Sequence, residues 1–166
     1  MATSQNLKDA FAGESQANRK YLAFAKRAEE DGKPMVAKLF RAAAEAETIH
    51  AHAHLRVLGG VRSTAENVQA AIEGEGYEFK QMYPAFIAEA EKEGHAAAVQ
   101  TFKFANAVEK VHHGLYSQAL EAVKGGRDLS MAGIWVCPVC GNTFVGSAPD
   151  KCPVCNSAKS RFVEVK

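Results

Sequence analysis

Two Glu-x-x-His pairs stand out, Glu47-x-x-His50 and Glu109-x-x-His112, and each lies inside the same longer frame. Phe40-Arg41-x-Ala43-x-x-x-Glu47-x-Ile49-His50 is matched by Phe102-Lys103-x-Ala105-x-x-x-Glu109-x-Val111-His112, position for position. Residues three apart share one helix face, so a carboxylate and an imidazole at that spacing can bind the same ion or neighbouring ions. The stripe through Val36, Phe40, Ala43, Glu47, His50, His54 and Val57 advances by three or four residues, which places Glu47 and His50 on the face that should be buried. Glu14 interrupts the stripe of Leu7, Phe11 and Tyr21 in the same way, and Glu75 and Glu78 lie three apart. Ionised carboxylates are rarely buried unless paired or metal-bound, because lost hydration costs several kcal/mol. Helical bundles that hold two metal ions use one Glu from each of two helices and a Glu-x-x-His pair from each of the other two. Here the set is Glu14, Glu47 with His50, Glu78, and Glu109 with His112, with Glu75 as an extra carboxylate. The steps from Glu14 to Glu47, Glu78 and Glu109 are 33, 31 and 31 residues, each one long helix plus a turn. A lone Glu-x-x-His on an Ala-rich helix is an ordinary solvated pair. Two in an echoed frame, each matched by a carboxylate at one-helix spacing, are not. His52, His95 and His113 fall outside the pattern, and His54 lies one turn beyond His50 as a structural or supporting residue.

The second chemistry is thiolate. Cys137-Pro138-Val139-Cys140-Gly141 and Cys152-Pro153-Val154-Cys155-Asn156 are two C-x-x-C knuckles separated by 11 residues. Gly141 and Asn156 suit the positive φ often needed after the second cysteine of a knuckle. Four thiolates so arranged form a tetrahedral S₄ site for zinc or iron. Zinc would be structural, whereas iron would carry one electron. The spacing leaves both open.

The elements that position these groups follow from periodicity and punctuation. A first helix is expected from about Ser4, as N-cap, to Glu30 before Gly32, and a second from Pro34 to Gly59-Gly60. Ser63-x-x-Glu66 reads as a capping box opening a third, which runs to about Glu93 with a kink or break at Gly74, Gly76 and Pro84. The fourth runs from about His95 to Lys124. Four helices of about 25 to 30 residues pack as a bundle, and the echo suggests two-fold pseudo-symmetry. After Gly126, short β-type runs at Ile134–Val136, Thr143–Val145 and Phe162–Val165 alternate with turn residues. The expected organisation is a bundle over 1–126, a linker over 127–133, and a small β-rich domain over 134–166 that needs a metal to fold.

Composition narrows the function classes. The 166 residues are 47% hydrophobic, with 20 basic against 19 acidic residues, so nucleic acid is not an expected partner. No run approaches the roughly 18 apolar residues of a membrane span, and the first residues lack a signal-peptide pattern. A cytoplasmic location, with reduced cysteines, is expected. No G-x-G-x-x-G fingerprint occurs, so NADH is not expected to bind this chain directly.

Together the segments FAGESQANRKY, EAETIHA, EGEGYEFKQMYP, AVEKVHHGLY, CPVCG and CPVCN resemble the rubrerythrin family along essentially the whole chain. The resemblance implies an all-α ferritin-like four-helix bundle holding two non-haem irons, followed by a rubredoxin-like domain with one iron on Cys137, Cys140, Cys152 and Cys155, for which zinc can substitute. By resemblance, Glu47 and Glu109 bridge the irons, Glu14 with His50 or Glu78 completes one, and Glu75 with His112 completes the other. Tyr21 and Tyr83 match tyrosines beside the cluster carboxylates. Asn156 replaces the Gly common in rubredoxins. The implied activity is a reductive peroxidase that turns hydrogen peroxide into water in oxidative-stress defence. Its electrons come from an external rubredoxin, ferredoxin or NAD(P)H-dependent flavoprotein reductase. The family precedent is a homodimer in which one subunit's tail serves the other's bundle, since the linker is short. The competing readings are a ferroxidase or iron-storage protein, and a non-enzymatic redox or metal sensor with a zinc ribbon. Assigning five of the 19 acidic residues to the bundle interior leaves 14 against 20 basic ones outside, which suits an acidic donor.

Overall fold

The computed structural model describes residues 2–130 and 133–166; Met131 and Ala132, within the expected linker, lie outside the described residues. Helices α1 (Ala2–Glu30), α2 (Pro34–Val57), α3 (Thr64–Tyr77), α4 (Tyr83–Lys92) and α5 (Ala96–Lys124) precede strands β1 (Ile134–Val136), β2 (Thr143–Val145) and β3 (Val163–Glu164). A π-helical turn, Glu78–Met82, joins α3 to α4. The chain packs as two compact units, Met1–Arg62 and Ser63–Lys166.

In the first unit, α1 and α2 pair through a seam of small residues. Ala25, Ala28 and Ala37 are buried with Phe40 against them, and Ala44 and Ala51 continue the buried face of α2. Small side chains let the backbones approach closely enough for one polar tie. Buried Asn18 donates from Nδ2 to the Ala44 carbonyl at 2.7 Å and to Thr48 Oγ1 at 2.8 Å. Ser4 does not cap α1 but lies inside it. Ala2 and Thr3 before it include no Pro or Gly that would force the backbone out of helical φ/ψ.

In the second unit, the Ser63–Glu66 capping box forms as expected, with Ser63 Oγ accepting from the Glu66 N–H and Glu66 Oε2 accepting from the Ser63 N–H. The expected kink takes the form of the π turn. Pro84 has no N–H, and its ring would crowd the carbonyl four residues back. The wider turn, in which the Tyr83 N–H reaches the Glu78 carbonyl, relieves that crowding. Gly76 serves packing: a Cβ there would sit 3.3 Å from His113 Cδ2, so its absence lets α3 approach α5. His95, which falls outside the ligand pattern, is exposed and caps α5 by accepting the Ala98 N–H at its Nδ1.

The three strands form an antiparallel sheet in the order β2-β1-β3, with Trp135 opposite Phe144 and Glu164. The third strand is shorter than the expected Phe162–Val165 because Phe162 turns inward, buried against Cys137, Ala148 and Cys152 and stacked on Phe144 at 4.8 Å. So small a core leaves the cysteines as its centre.

Candidate metal centres

The four cysteines converge. Cys137 and Cys152 are buried, Cys140 and Cys155 half-buried, and all four Sγ atoms lie within 4.8 Å of one another. Sγ separations of 3.5 Å (Cys137–Cys155) and 3.6 Å (Cys140–Cys152) approach the edge of about 3.8 Å expected for a tetrahedron with metal–sulfur bonds near 2.3 Å. Gly141 (φ +83°) and Asn156 (φ +64°) take the left-handed conformation expected of them, so Asn156 fills the glycine position without disturbing the knuckle. Burial pushes the Cys140 thiol far up. Cys155, although burial acts against it, is held down at about 6 by hydrogen bonds from Ser157 and from neighbouring thiols. A cation among the four sulfurs would stabilise all of them as thiolates.

In the first helical unit, Glu14, Glu47 and His50 bring their ligating atoms within 4.8 Å of one another. His50 Nδ1 faces Glu47 Oε2 at 3.1 Å. Hydrogen bonding between the neighbouring Glu14 and Glu47 carboxyls raises Glu14 and lowers Glu47.

The second unit repeats the arrangement with Glu75, Glu109 and His112. His112 Nδ1 lies 2.8 Å from Glu109 Oε2 and 3.8 Å from Glu75 Oε1. Burial, then the hydrogen bond and charge of Glu109, raise Glu75 to about 7. Glu78 opens the π turn, stands outside the tight group, and is raised by burial and by the Glu109 charge. Both groups therefore hold close carboxylates whose repulsion a proton or a cation must relieve. Oxygen and imidazole donors at this spacing fit divalent iron or manganese.

The echo extends well beyond the frame legible in the sequence. Tyr21, Phe24 and Phe40 form one aromatic triad, and Tyr83, Phe86 and Phe102 form its counterpart 62 residues later. The ion pairs Arg41–Glu29 and Lys103–Glu91 repeat at the same offset. Glu14 and Glu75, however, are offset by 61. The missing residue is the one the π turn inserts. Burial, and then the charges of Glu78, Glu109 and Glu75, raise the Tyr83 phenol. Tyr21 packs on Phe24 and Phe40.

The β-rich tail also reaches its own helices. Thr143 on β2 meets His112 Nε2 at 2.9 Å.

The rubrerythrin family profile matches residues 5–120, and the profile of the rubrerythrin rubredoxin-like domain matches residues 135–163. Rubrerythrin-2 of Clostridium acetobutylicum is 34% identical over 174 residues, covering 96% of this chain and 95% of that protein. Nigerythrin of Nitratidesulfovibrio vulgaris is 36% identical, over 97% of this chain and 85% of its own length. Among solved structures, fully reduced, all-ferrous nigerythrin superposes with a TM-score of 0.59 at 35% identity, covering 98% of this chain and 86% of the other. The ferritin-like helices, the rubredoxin-like β domain and the two kinds of metal-donor group all agree with these matches, and the chain belongs to the rubrerythrin family.

Proposed function

We propose that this protein is a reductive peroxidase catalysing H₂O₂ + 2e⁻ + 2H⁺ → 2H₂O, an oxidoreductase of oxidative-stress defence. In this reading Glu14, Glu47 and His50 combine with Glu75, Glu78, Glu109 and His112 to hold two non-haem irons, while Cys137, Cys140, Cys152 and Cys155 hold a third. The observation that carries the reading is the coexistence in one chain of two echoed carboxylate–imidazole groups and a four-thiolate group. A storage protein needs no thiolate centre, and a zinc-ribbon sensor needs no paired carboxylates. Held by these carboxylates and imidazoles, two ferrous ions would supply the two electrons that cleavage of peroxide consumes, and an iron held by the four cysteines would return them singly.

The chain's own residues set the conditions for that chemistry. Glu47 and Glu109, each facing the Nδ1 of its histidine, are the candidates to bridge. Glu78, displaced from the tight group by the π turn, is a carboxylate free to enter or leave. Tyr83, its phenol raised, retains a proton at Oη for donation at neutral pH. The domain reading is 1–126 for the helices, 127–133 for the linker and 134–166 for the rubredoxin-like domain. Among the described residues no helix is long and apolar enough to cross a membrane. We place the protein in the cytoplasm, as a homodimer supplied by an external acidic donor.

Anaerobic purification followed by metal analysis and visible spectroscopy tests the reading. Three irons per chain and a thiolate-to-iron band that bleaches on reduction and returns with peroxide are expected. Zinc on the cysteines, or a band indifferent to peroxide, would overturn it.

A further inference from the structure

We propose that Thr143 is a positioning residue for His112. Its hydroxyl donates to the Gly141 carbonyl at 3.4 Å and lies 2.9 Å from His112 Nε2. A hydroxyl has one proton. With that proton committed to Gly141, Thr143 Oγ1 meets Nε2 as an acceptor, so Nε2 carries the imidazole proton and Nδ1 is left bare. Bare Nδ1 then faces Glu109 Oε2 at 2.8 Å, with Glu75 Oε1 at 3.8 Å. Lone pairs so close need a proton or a cation between them; with a metal ion there, the imidazole is held in the tautomer that ligates through Nδ1. A largely apolar pocket of about 300 Å³, walled by Val68, Leu115, Ile134 and Val145, lies beside the His112–Thr143 pair.

Thr143 lies three residues after Cys140, and the Gly141 N–H is itself tied to the Cys137 carbonyl at 2.9 Å. The hydroxyl therefore joins the backbone of the first cysteine knuckle to a ligand of the helical centre. The residue that orients His112 belongs to the other domain, so docking of the β domain on α5 and preparation of the helical site are one event. The inference rests on the proposed helical metal site, but it does not depend on peroxide turnover.

Full-length chain loaded with zinc, ¹⁵N-labelled at histidine, provides the test. In the native protein, His112 is expected to show a metal-bound Nδ1 and a protonated Nε2. Thr143→Val keeps the shape and strand preference of the residue but removes the acceptor. It is expected to lower zinc affinity at the helical site about tenfold, measured by chelator competition, and leave the cysteine site filled. Thr143→Ser should restore both signals. Native affinity in Thr143→Val, or ligation through Nε2 in the native chain, overturns the role of Thr143. Failure of the native helical site to take zinc overturns the metal-site reading and this inference together.

Discussion

The two helical halves begin from the same frame and finish differently. Glu47–His50 and Glu109–His112 occupy equivalent places, with equivalent aromatic triads and ion pairs around them. The first half is built on uninterrupted helices and leaves the His50 side chain 55% exposed. The second contains the π turn, gains Glu78, and gives the far side of His112 to Thr143, leaving that side chain 26% exposed. A repeated frame therefore supplies metal-donor groups of one kind, and departures from the repeat supply an extra carboxylate and a hydroxyl beside one imidazole.

The largest effects should come from removing the paired carboxylates. Glu47→Ala and Glu109→Ala are each expected to abolish peroxide turnover and empty the helical centre, as read by iron per chain. Retention of helical iron in one variant alone would show that the halves do not contribute equally. Deleting Gln81 together with Pro84→Ala converts the second half to the regular helix of the first. Iron should still bind, while turnover falls about 100-fold because Glu78 is rotated away. Unchanged turnover would make the π turn a packing device only.

A pH difference should also separate the halves. Glu75 binds its proton more tightly in the folded state, with a pKa near 7 against 4.5 for the ordinary group. Its contribution to the stability of metal-free protein is therefore complete below about pH 4.5 and lost as pH rises through about 7. The melting temperature of native apoprotein should fall over that window relative to Glu75→Gln; parallel curves would remove Glu75 as the cause. Asn18→Ala, which cuts the buried tie in the first half alone, should cost about 1–3 kcal/mol in denaturant unfolding. The smallest effects belong to the echoed ion pairs. Arg41→Ala and Lys103→Ala should each cost less than about 1 kcal/mol, and by similar amounts, because both pairs are half-exposed.

Much of this was open to a reader of the sequence. The ligand types, the two knuckles, the capping box at Ser63 and most helix limits all arise from spacings of a few residues, and such spacings fix which side chains share a face. Misreadings were of one kind. Ser4 looked like a cap because its type suits one, yet a cap exists only where the backbone leaves the helix. His95 is exposed, in keeping with its place outside the ligand pattern, but its capping bond was not legible because that bond depends on where α5 starts. Gly74, Gly76 and Pro84 signalled a break, but the register of the resulting insertion was not visible.

The sequence by itself determined the donor inventory and its two-fold repetition, because side-chain identity and helical period are local properties. Spacing alone left Glu75 as an extra carboxylate; the tertiary structure brings it, the residue that the family resemblance set with His112, into the tight group with Glu109 and His112, and makes the imidazole of His112 meet a hydroxyl 31 residues away. Both outcomes depend on how α3, the π turn and the β domain pack on α5. No spacing within one element encodes the distance between atoms on different ones.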